Sequence, residues 1–146
     1  SLDHAISIAV AAHAGQVDKA GAPYILHPLR VMLNQTCDEA RIAAVLHDVV
    51  EDGEHWTLDR LRTEGFSEAI IDAIDHLTKR ESEINDYDAF IERAAQNPTA
   101  VKVKLADLED NLDITRLAAL SQQDVERLNK YKLARNKLLS LEAPQN

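Results

Sequence analysis

Histidine and acidic residues occur together near the middle of the chain, in the run His47-Asp48-Val49-Val50-Glu51-Asp52. If this run continues the apolar helix before it, His47 and Glu51 are four residues apart. Asp48 and Asp52 have the same spacing, so the four side chains occupy two neighbouring rows of one helix face. Three carboxylates crowded beside buried surface repel one another, and desolvation strengthens that repulsion. Because a bound cation removes the conflict, this run predicts a metal site.

Two more candidate ligands lie far from this run along the chain. Asp107 is embedded in an apolar segment, and Lys104 and Asn111 fall on its own side of a helix, three residues before it and four after it. His27 precedes Pro28, and proline disfavours the helical conformation of the residue before it. We therefore expect the His27 ring to project from the entrance of a helix.

Two imidazoles and two carboxylates from three separate helices suit an octahedral cation that keeps positions open for water. We expect one divalent ion, with manganese as the first choice and iron, cobalt or zinc as alternatives, and with the ligands His27, His47, Asp48 and Asp107. Each ligand taken alone also fits a structural role, as a turn residue, a hydrogen-bonded core histidine or the helix partner of a lysine. Their order and context along the chain favour the metal site.

The elements that must position these residues are helices. Apolar residues recur at helical spacing along most of the chain, which has only 4 Gly and 4 Pro. No strand alternation, internal repeat or linker interrupts them, so the sequence predicts a single all-α domain, a compact helical bundle over residues 1–146. The first predicted helix ends near Gly15, the second begins at Pro28, and the third runs from about Glu39 into Val50. Thr57 and Ser67 each cap a further helix. The remaining predicted helices cover Tyr87–Ala95, the segment with the apolar stripe Val101–Leu112, and about Gln123–Leu141.

Composition limits the partners. The chain has 25 acidic and 16 basic residues and a formal charge of −9, so its surface repels phosphate backbones and nucleic acid is not expected. A small anionic substrate remains compatible where a cation and a few basic side chains reverse the field. The basic stretch 130–137 is interpreted as the solvated face of a helix. No apolar run approaches the roughly 20 residues that span a bilayer, and the N-terminal residues Ser1-Leu2-Asp3-His4 lack the basic and then apolar pattern of a signal peptide. Cys37 stands alone and is expected to pack as a small apolar residue, which together with these features predicts a cytoplasmic protein.

Four stretches together resemble the HD superfamily of metal-dependent phosphohydrolases, and in particular the hydrolase domain of RelA/SpoT proteins and the single-domain small alarmone hydrolases. The resemblance extends over nearly the whole chain. The matching stretches are His13-Ala14-Gly15-Gln16, Pro23-Tyr24-Ile25-Leu26-His27-Pro28, Leu46-His47-Asp48-Val49-Val50-Glu51-Asp52, and Val103-Lys104-Leu105-Ala106-Asp107 with Asn111.

This resemblance implies a Mn²⁺-dependent enzyme with the HD fold, which removes the 3′-pyrophosphate from guanosine tetra- and pentaphosphate. The four candidate ligands would hold the metal. Glu51 and Asp52 would orient and deprotonate the attacking water. The nucleotide would be contacted by Lys19, Tyr24 and Asn111, although Lys19 fits a solvated loop lysine equally well.

Two residues depart from the family pattern. Asp18 stands where the family commonly has arginine before Lys19, and Asp113 stands where it commonly has arginine two residues after Asn111. Since aspartate cannot stack on a base or grip phosphate, guanosine and adenosine both remain open as the substrate's base, with Arg116 as a compensating cation. A phosphatase for another small nucleotide, a non-catalytic nucleotide sensor and a helical interaction module are the alternative functions. The oligomeric state is left open.

Overall fold

Residues 1–142, which the computed structural model describes, form helices joined by turns, with one isolated antiparallel bridge between Val17 and Pro23. The all-α prediction is therefore confirmed, and the last four residues of the predicted 1–146 domain lie outside the described residues. A short 3-10 turn covers Glu81–Glu83. The α-helices are α1 Leu2–Ala12, α2 Leu26–Leu33, α3 Asp38–Leu46, α4 Val49–Asp52, α5 Leu58–Thr63, α6 Glu68–Leu77, α7 Tyr87–Ala94, α8 Pro98–Leu112 and α9 Gln122–Glu142.

Polar side chains begin several of these helices by accepting a backbone N–H of the first turn, which has no partner within the helix. Thr57 and Ser67 begin α5 and α6 in this way, as the sequence predicts. Asn97 does the same for α8, where Pro98 fills the first position and needs no amide donor. The short loops between the helices follow from these caps.

Helix α3 lies at the centre of the bundle and packs against α1, α2, α6 and α8. Ala40 and the whole run Ile42–Leu46 are buried, as expected for a helix that is apolar on most sides. A second, smaller apolar cluster joins α7, α8 and α9 through Ile91, Val101, Leu108, Ala134 and Leu138. Helix α8 thus packs against both the central helix α3 and helix α9.

The predicted continuation of the third helix into Val50 is wrong. Helix α3 ends at Leu46, and the His47 N–H bonds to the Ala44 carbonyl, three residues back, at 3.3 Å. The regular pattern resumes in α4, where the Asp52 N–H bonds to the Asp48 carbonyl at 2.9 Å. His47 and Asp48 lie at this interruption, and both keep right-handed helical φ and ψ values.

The predicted start of the second helix at Pro28 is also wrong, because α2 begins at Leu26 and His27 lies in its first turn. Proline is tolerated at the third position since the first N–H groups of a helix have no intrahelical acceptor. The prediction that Cys37 packs as a small apolar residue fails as well: its free thiol is exposed where α3 begins. Over residues 1–142, no helix combines the length and the apolar character needed to cross a bilayer.

A buried ion pair fixes the segment between α6 and α7. Arg93 donates to both carboxylate oxygens of Glu83 at 2.9 Å and to the carbonyls of Asp75 and Thr78 at 2.9 and 2.6 Å. Glu83 also accepts the Arg80 N–H at 2.9 Å. The hydrogen bond from Arg93 lowers the pKa of Glu83 to about 2. This network holds the backbone on both sides of Lys79, which borders the candidate site.

We expect Glu83→Gln to lower the free energy of unfolding by roughly 1.5–3 kcal/mol at neutral pH, because Arg93 loses a charged partner. The pKa of Glu83 is lower in the folded state, so its contribution is complete above its unfolded-state pKa and disappears as the pH falls towards about 2. Denaturant unfolding should therefore show the difference from the unmodified chain shrinking on acidification. The exposed Glu81→Gln is the control, and an equal loss in both variants would contradict the assignment.

Candidate metal centre

Four polar side chains from distant parts of the chain meet in the interior. His27 comes from α2, His47 and Asp48 from the α3–α4 junction, and Asp107 from α8. His27 Nε2 lies 2.8 Å from Asp107 Oδ1 and 3.7 Å from Asp48 Oδ2. His47 Nε2 lies 3.1 Å from Asp48 Oδ2 and 3.4 Å from Asp107 Oδ1. The structure thus brings all four predicted ligands together, with both imidazoles and Asp107 buried.

The donor set fits a divalent cation. His47 Nδ1 donates to the Ala44 carbonyl at 2.5 Å, so the lone pair of this ring is on Nε2, which faces the other three groups. That nitrogen is buried and has no hydrogen-bond partner within residues 1–142. Metal-binding histidines generally donate the other ring N–H to a carbonyl or carboxylate in this way. Two imidazole nitrogens and two carboxylates suit manganese, iron, cobalt or zinc.

Asp110 supports the second imidazole and was not identified from the sequence. Its Oδ2 lies 2.7 Å from His27 Nδ1, and Arg30 donates to both of its oxygens at 2.6 and 3.0 Å. Burial alone would raise the pKa of Asp110, but the hydrogen bonds from His27 and Arg30 hold it well below its usual range. The available signal was spacing: Asp110 follows Asp107 by three residues and Arg30 follows His27 by three, so each shares a ligand's helix face.

The Asp107 carboxylate is held in its ionised form by its own helix. Lys104 Nζ donates to its Oδ2 at 2.8 Å and Asn111 Nδ2 to its Oδ1 at 3.2 Å, on the side of α8 that the spacing predicts. Burial would raise the pKa of Asp107, but Lys104 and the two imidazoles keep it well below its usual value. Asn111 is therefore within reach of the metal ligands as well as of a nucleotide.

Glu51 and Asp52 project from α4 into a cavity of about 180 Å³ that is also lined by His47, Asp48 and Asp107. Glu51 accepts the backbone N–H of Lys79, and burial raises its pKa. Burial followed by the charge of Asp48 raises the pKa of Asp52. Carboxylates with raised pKa beside a reaction centre are suited to accept a proton.

The cavity also has a basic wall, formed by Lys79, Lys104 and Lys130. Lys130 is exposed, as the interpretation of residues 130–137 as a solvated helix face expects, and it also lines this cavity. Only the packing of α9 against α8 brings that residue to the cavity, and no local pattern in the sequence indicates it.

A larger cleft of about 440 Å³ adjoins this cavity, and the two share Tyr24, Asn111 and Tyr131. Lys19 lines the larger cleft, so all three predicted nucleotide contacts border it. Tyr24 has a further contact that the sequence does not indicate, because its hydroxyl donates to Asp48 Oδ2 at 2.6 Å. The additional basic residues of the cleft are Arg116 and Arg127.

Asp18 and Asp113, the two departures from the family pattern, are engaged in local turns. Asp18 Oδ1 accepts the backbone N–H groups of Ala20 and Ala22, both at 2.9 Å. Asp113 Oδ1 accepts from the backbone and the hydroxyl of Thr115 at 3.0 and 2.7 Å. Through these bonds the aspartates organise loops at the rim of the cleft. Arg116 lies 3.5 Å from Asp113 Oδ2 and 3.8 Å from Asp110 Oδ2, so these carboxylates compensate part of its charge.

Curated bacterial proteins are similar to this chain. It is 36% identical over 117 residues to the guanosine-3′,5′-bis(diphosphate) 3′-pyrophosphohydrolase of Haemophilus influenzae, covering 72% of this chain and 17% of that protein. The enzyme of the same name from Borreliella burgdorferi is 31% identical over 143 residues, covering 89% and 21%. The bifunctional (p)ppGpp synthase/hydrolase SpoT of Escherichia coli is 30% identical over 122 residues, covering 76% and 17%. The chain thus spans about a fifth of these relatives or less.

A solved structure is similar over almost the full length. It is described as a metazoan ortholog of SpoT that hydrolyzes ppGpp, and it matches with a TM-score of 0.78 and 25% identity. The match covers 97% of this chain and 85% of that one. No family model matches the chain. The resemblance stated from the motifs is confirmed by these comparisons.

We expect Asp110→Asn to weaken binding of Mn²⁺ about 10–100-fold, because the His27 ring loses the carboxylate that orients it. Calorimetric titration of the metal-free protein measures this directly. Glu109→Gln is the matched control, since the exposed Glu109 pairs with Arg135 at 3.1 Å, outside the site. Equal metal affinities for the two variants would show that Asp110 does not support the centre.

Proposed function

The chain is a relative of the SpoT-type 3′-pyrophosphohydrolases, and we propose that it is itself a metal-dependent pyrophosphohydrolase acting on guanosine or adenosine nucleotides with a 3′-diphosphate, such as ppGpp, pppGpp or pppApp. One observation carries this proposal: His47, Asp48 and Asp107 of the donor set line the same cavity as Glu51 and Asp52, and that cavity adjoins a cleft with basic side chains. A metal, a proton acceptor and an anion-binding surface are the parts that hydrolysis of the ester bond between the 3′-oxygen and phosphorus requires.

The metal is a divalent cation, Mn²⁺ in our proposal, with the ligands His27, His47, Asp48 and Asp107. When bound, such a cation lowers the pKa of a coordinated water towards neutrality and polarises a phosphoryl oxygen. The protein's part is to keep the donor atoms in place. Tyr24 and Lys104 do so for the carboxylates of Asp48 and Asp107, through hydrogen bonds of 2.6 and 2.8 Å.

Glu51 and Asp52 orient the attacking water and take its proton. Glu51 is fixed by the Lys79 backbone N–H, while Gln16 donates to the Asp52 carbonyl at 2.9 Å and so holds the end of α4. Both carboxyl groups have raised pKa values for the reasons given above, and these bring them closer to the range in which a general base works at neutral pH.

The nucleotide lies in the larger cleft. Lys19, Arg116 and Arg127 attract its 5′-phosphates, and Asn111 lies at the boundary with the smaller cavity, where the 3′-group must enter. Tyr24 and Tyr131, which line both spaces, offer ring surfaces to the nucleoside. The exposed free thiol of Cys37 agrees with action in the reducing cytoplasm.

The test is to incubate the purified protein with Mn²⁺ and, separately, ppGpp and pppApp. Release of pyrophosphate from either nucleotide supports the proposal, and the relative kcat/KM values decide the base. Orthophosphate as the first product would instead identify a phosphatase. Tight nucleotide binding without any product, with metal bound, would identify a sensor.

We expect Glu51→Gln and Asp52→Asn each to lower kcat about 10²–10⁴-fold while retaining the metal, since neither residue is among the four ligands. Steady-state rates and metal content of the same preparations measure both parts. Glu54→Gln, an exposed neighbour beyond α4, is the control and should retain full activity. Unchanged rates in both site variants would remove these carboxylates from the reaction.

A further inference from the structure

Three lysines surround the ring of Tyr87 beside the small cavity. The Nζ atoms of Lys79, Lys104 and Lys130 lie 5.7, 5.7 and 4.7 Å from its centroid. They come from the segment after α6, from α8 and from α9, so the cluster exists only in the folded chain. Phe90 completes the aromatic surface, with Lys79 at 5.6 Å and Lys104 at 5.0 Å from its centroid.

The charges of this cluster are only partly compensated. Lys104 pairs with Asp107 at 2.8 Å, whereas within residues 1–142 neither Lys79 nor Lys130 forms a salt bridge. Burial, and then the charges of Lys79 and Lys104, lower the pKa of Lys130. The aromatic faces offset part of this repulsion through cation–π contacts, but they supply no negative charge.

A bound divalent cation would reverse the sign of the net formal charge in the cavity. Its lining includes four carboxylates, those of Asp48, Glu51, Asp52 and Asp107, and three lysine ammonium groups. With neutral imidazoles its formal charge is therefore −1, and a divalent ion changes it to +1. Asp48 and Asp107 would hold the ion, and the three lysines would then be the cationic part of the lining, where an anion is stabilised.

We propose that Lys79 and Lys130 bind the terminal phosphoryl group of the 3′-pyrophosphate, and hence one end of the pyrophosphate product. This inference rests on the proposed function. Lys104 joins this subsite to the metal ligands, because it contacts Asp107 and the same aromatic rings as the other two lysines. The cavity thereby favours transfer of a two-phosphoryl unit to water over transfer of a single phosphate, because the terminal phosphoryl group has the lysines as partners. Water forms the new bond to the inner phosphorus, and the nucleotide leaves with its 3′-oxygen as the bond between that oxygen and phosphorus breaks.

The experiment compares Lys79→Met and Lys130→Met with the unmodified chain and with Lys132→Met, an exposed lysine of α9 that lines neither space. Affinities for inorganic pyrophosphate and for orthophosphate are measured by calorimetry at one fixed free Mn²⁺ concentration. Inhibition of nucleotide hydrolysis by pyrophosphate is measured alongside. Glu51 bonds to the backbone of Lys79 and not to its side chain, so both site variants keep the α4 contacts.

We expect pyrophosphate to bind about 10–100-fold more weakly to each site variant, with a smaller change for orthophosphate and none in the control. Equal losses for the two anions, or unchanged pyrophosphate affinity, would overturn the subsite. If Lys79→Met does not fold, Lys130→Met, on the exposed side of α9, carries the test.

These outcomes separate the subsite from the proposed function. Weakened pyrophosphate binding in the variants of a chain that hydrolyses no nucleotide would leave the subsite standing and defeat the function. If the unmodified chain hydrolyses the nucleotide but every variant binds pyrophosphate with the same affinity, the proposed function stands and the subsite is refuted.

Discussion

The structure depends on the burial of charged and ionisable groups that a protein interior normally excludes. Removing a carboxylate or an imidazolium from water costs several kcal/mol unless a partner of opposite charge or a metal accompanies it. Here Asp107 and both imidazoles are buried close together. The surrounding residues supply hydrogen bonds and charges that stabilise these buried groups. Lys104 and Asn111 bond to Asp107, Asp110 bonds to His27, and Tyr24 bonds to Asp48. His47 Nε2 faces the same centre and has no hydrogen-bond partner within residues 1–142.

Packing converts this electrostatic requirement into a fixed geometry. Helix α3 is buried along most of its length, so the residues directly after it emerge inside the bundle and not at its surface. At the interruption Asp48 directly follows His47, and its Oδ2 lies 3.1 Å from His47 Nε2. Helices α2 and α8 each pack on α3 and deliver one further ligand, and their own next turns deliver Arg30 and Asp110. Ligands and supporting residues therefore come from the same helix faces.

Charge is distributed unevenly over the molecule. A chain with a net charge of −9 would repel a nucleotide with several phosphates if its charges were spread uniformly. Instead, basic residues from the first loop, from the segment after α6, from α8 and from α9 border the two connected spaces. Asp18 and Asp113, which would oppose such a substrate, are bound into their own turns. The lining of the two spaces is therefore less negative than the molecule as a whole, and a bound divalent cation would make it positive.

Local chemistry in the sequence was sufficient to predict the helical class, most helix boundaries, and the four groups that meet at the centre. Apolar periodicity and caps such as Thr57 and Ser67 are properties of short segments. The order and context of the His-Pro, His-Asp and Asp107 segments can also be read along the chain without knowledge of the fold. The break after Leu46, the placement of His27 within α2 and the exposure of Cys37 depended on which backbone groups found partners in three dimensions. The roles of Asp110, Arg30, Arg127 and Lys130 were beyond local inference for the same reason. Each acts across a contact between helices far apart in the chain, and only the packed bundle decides which surface side chains of one helix face the interior of another.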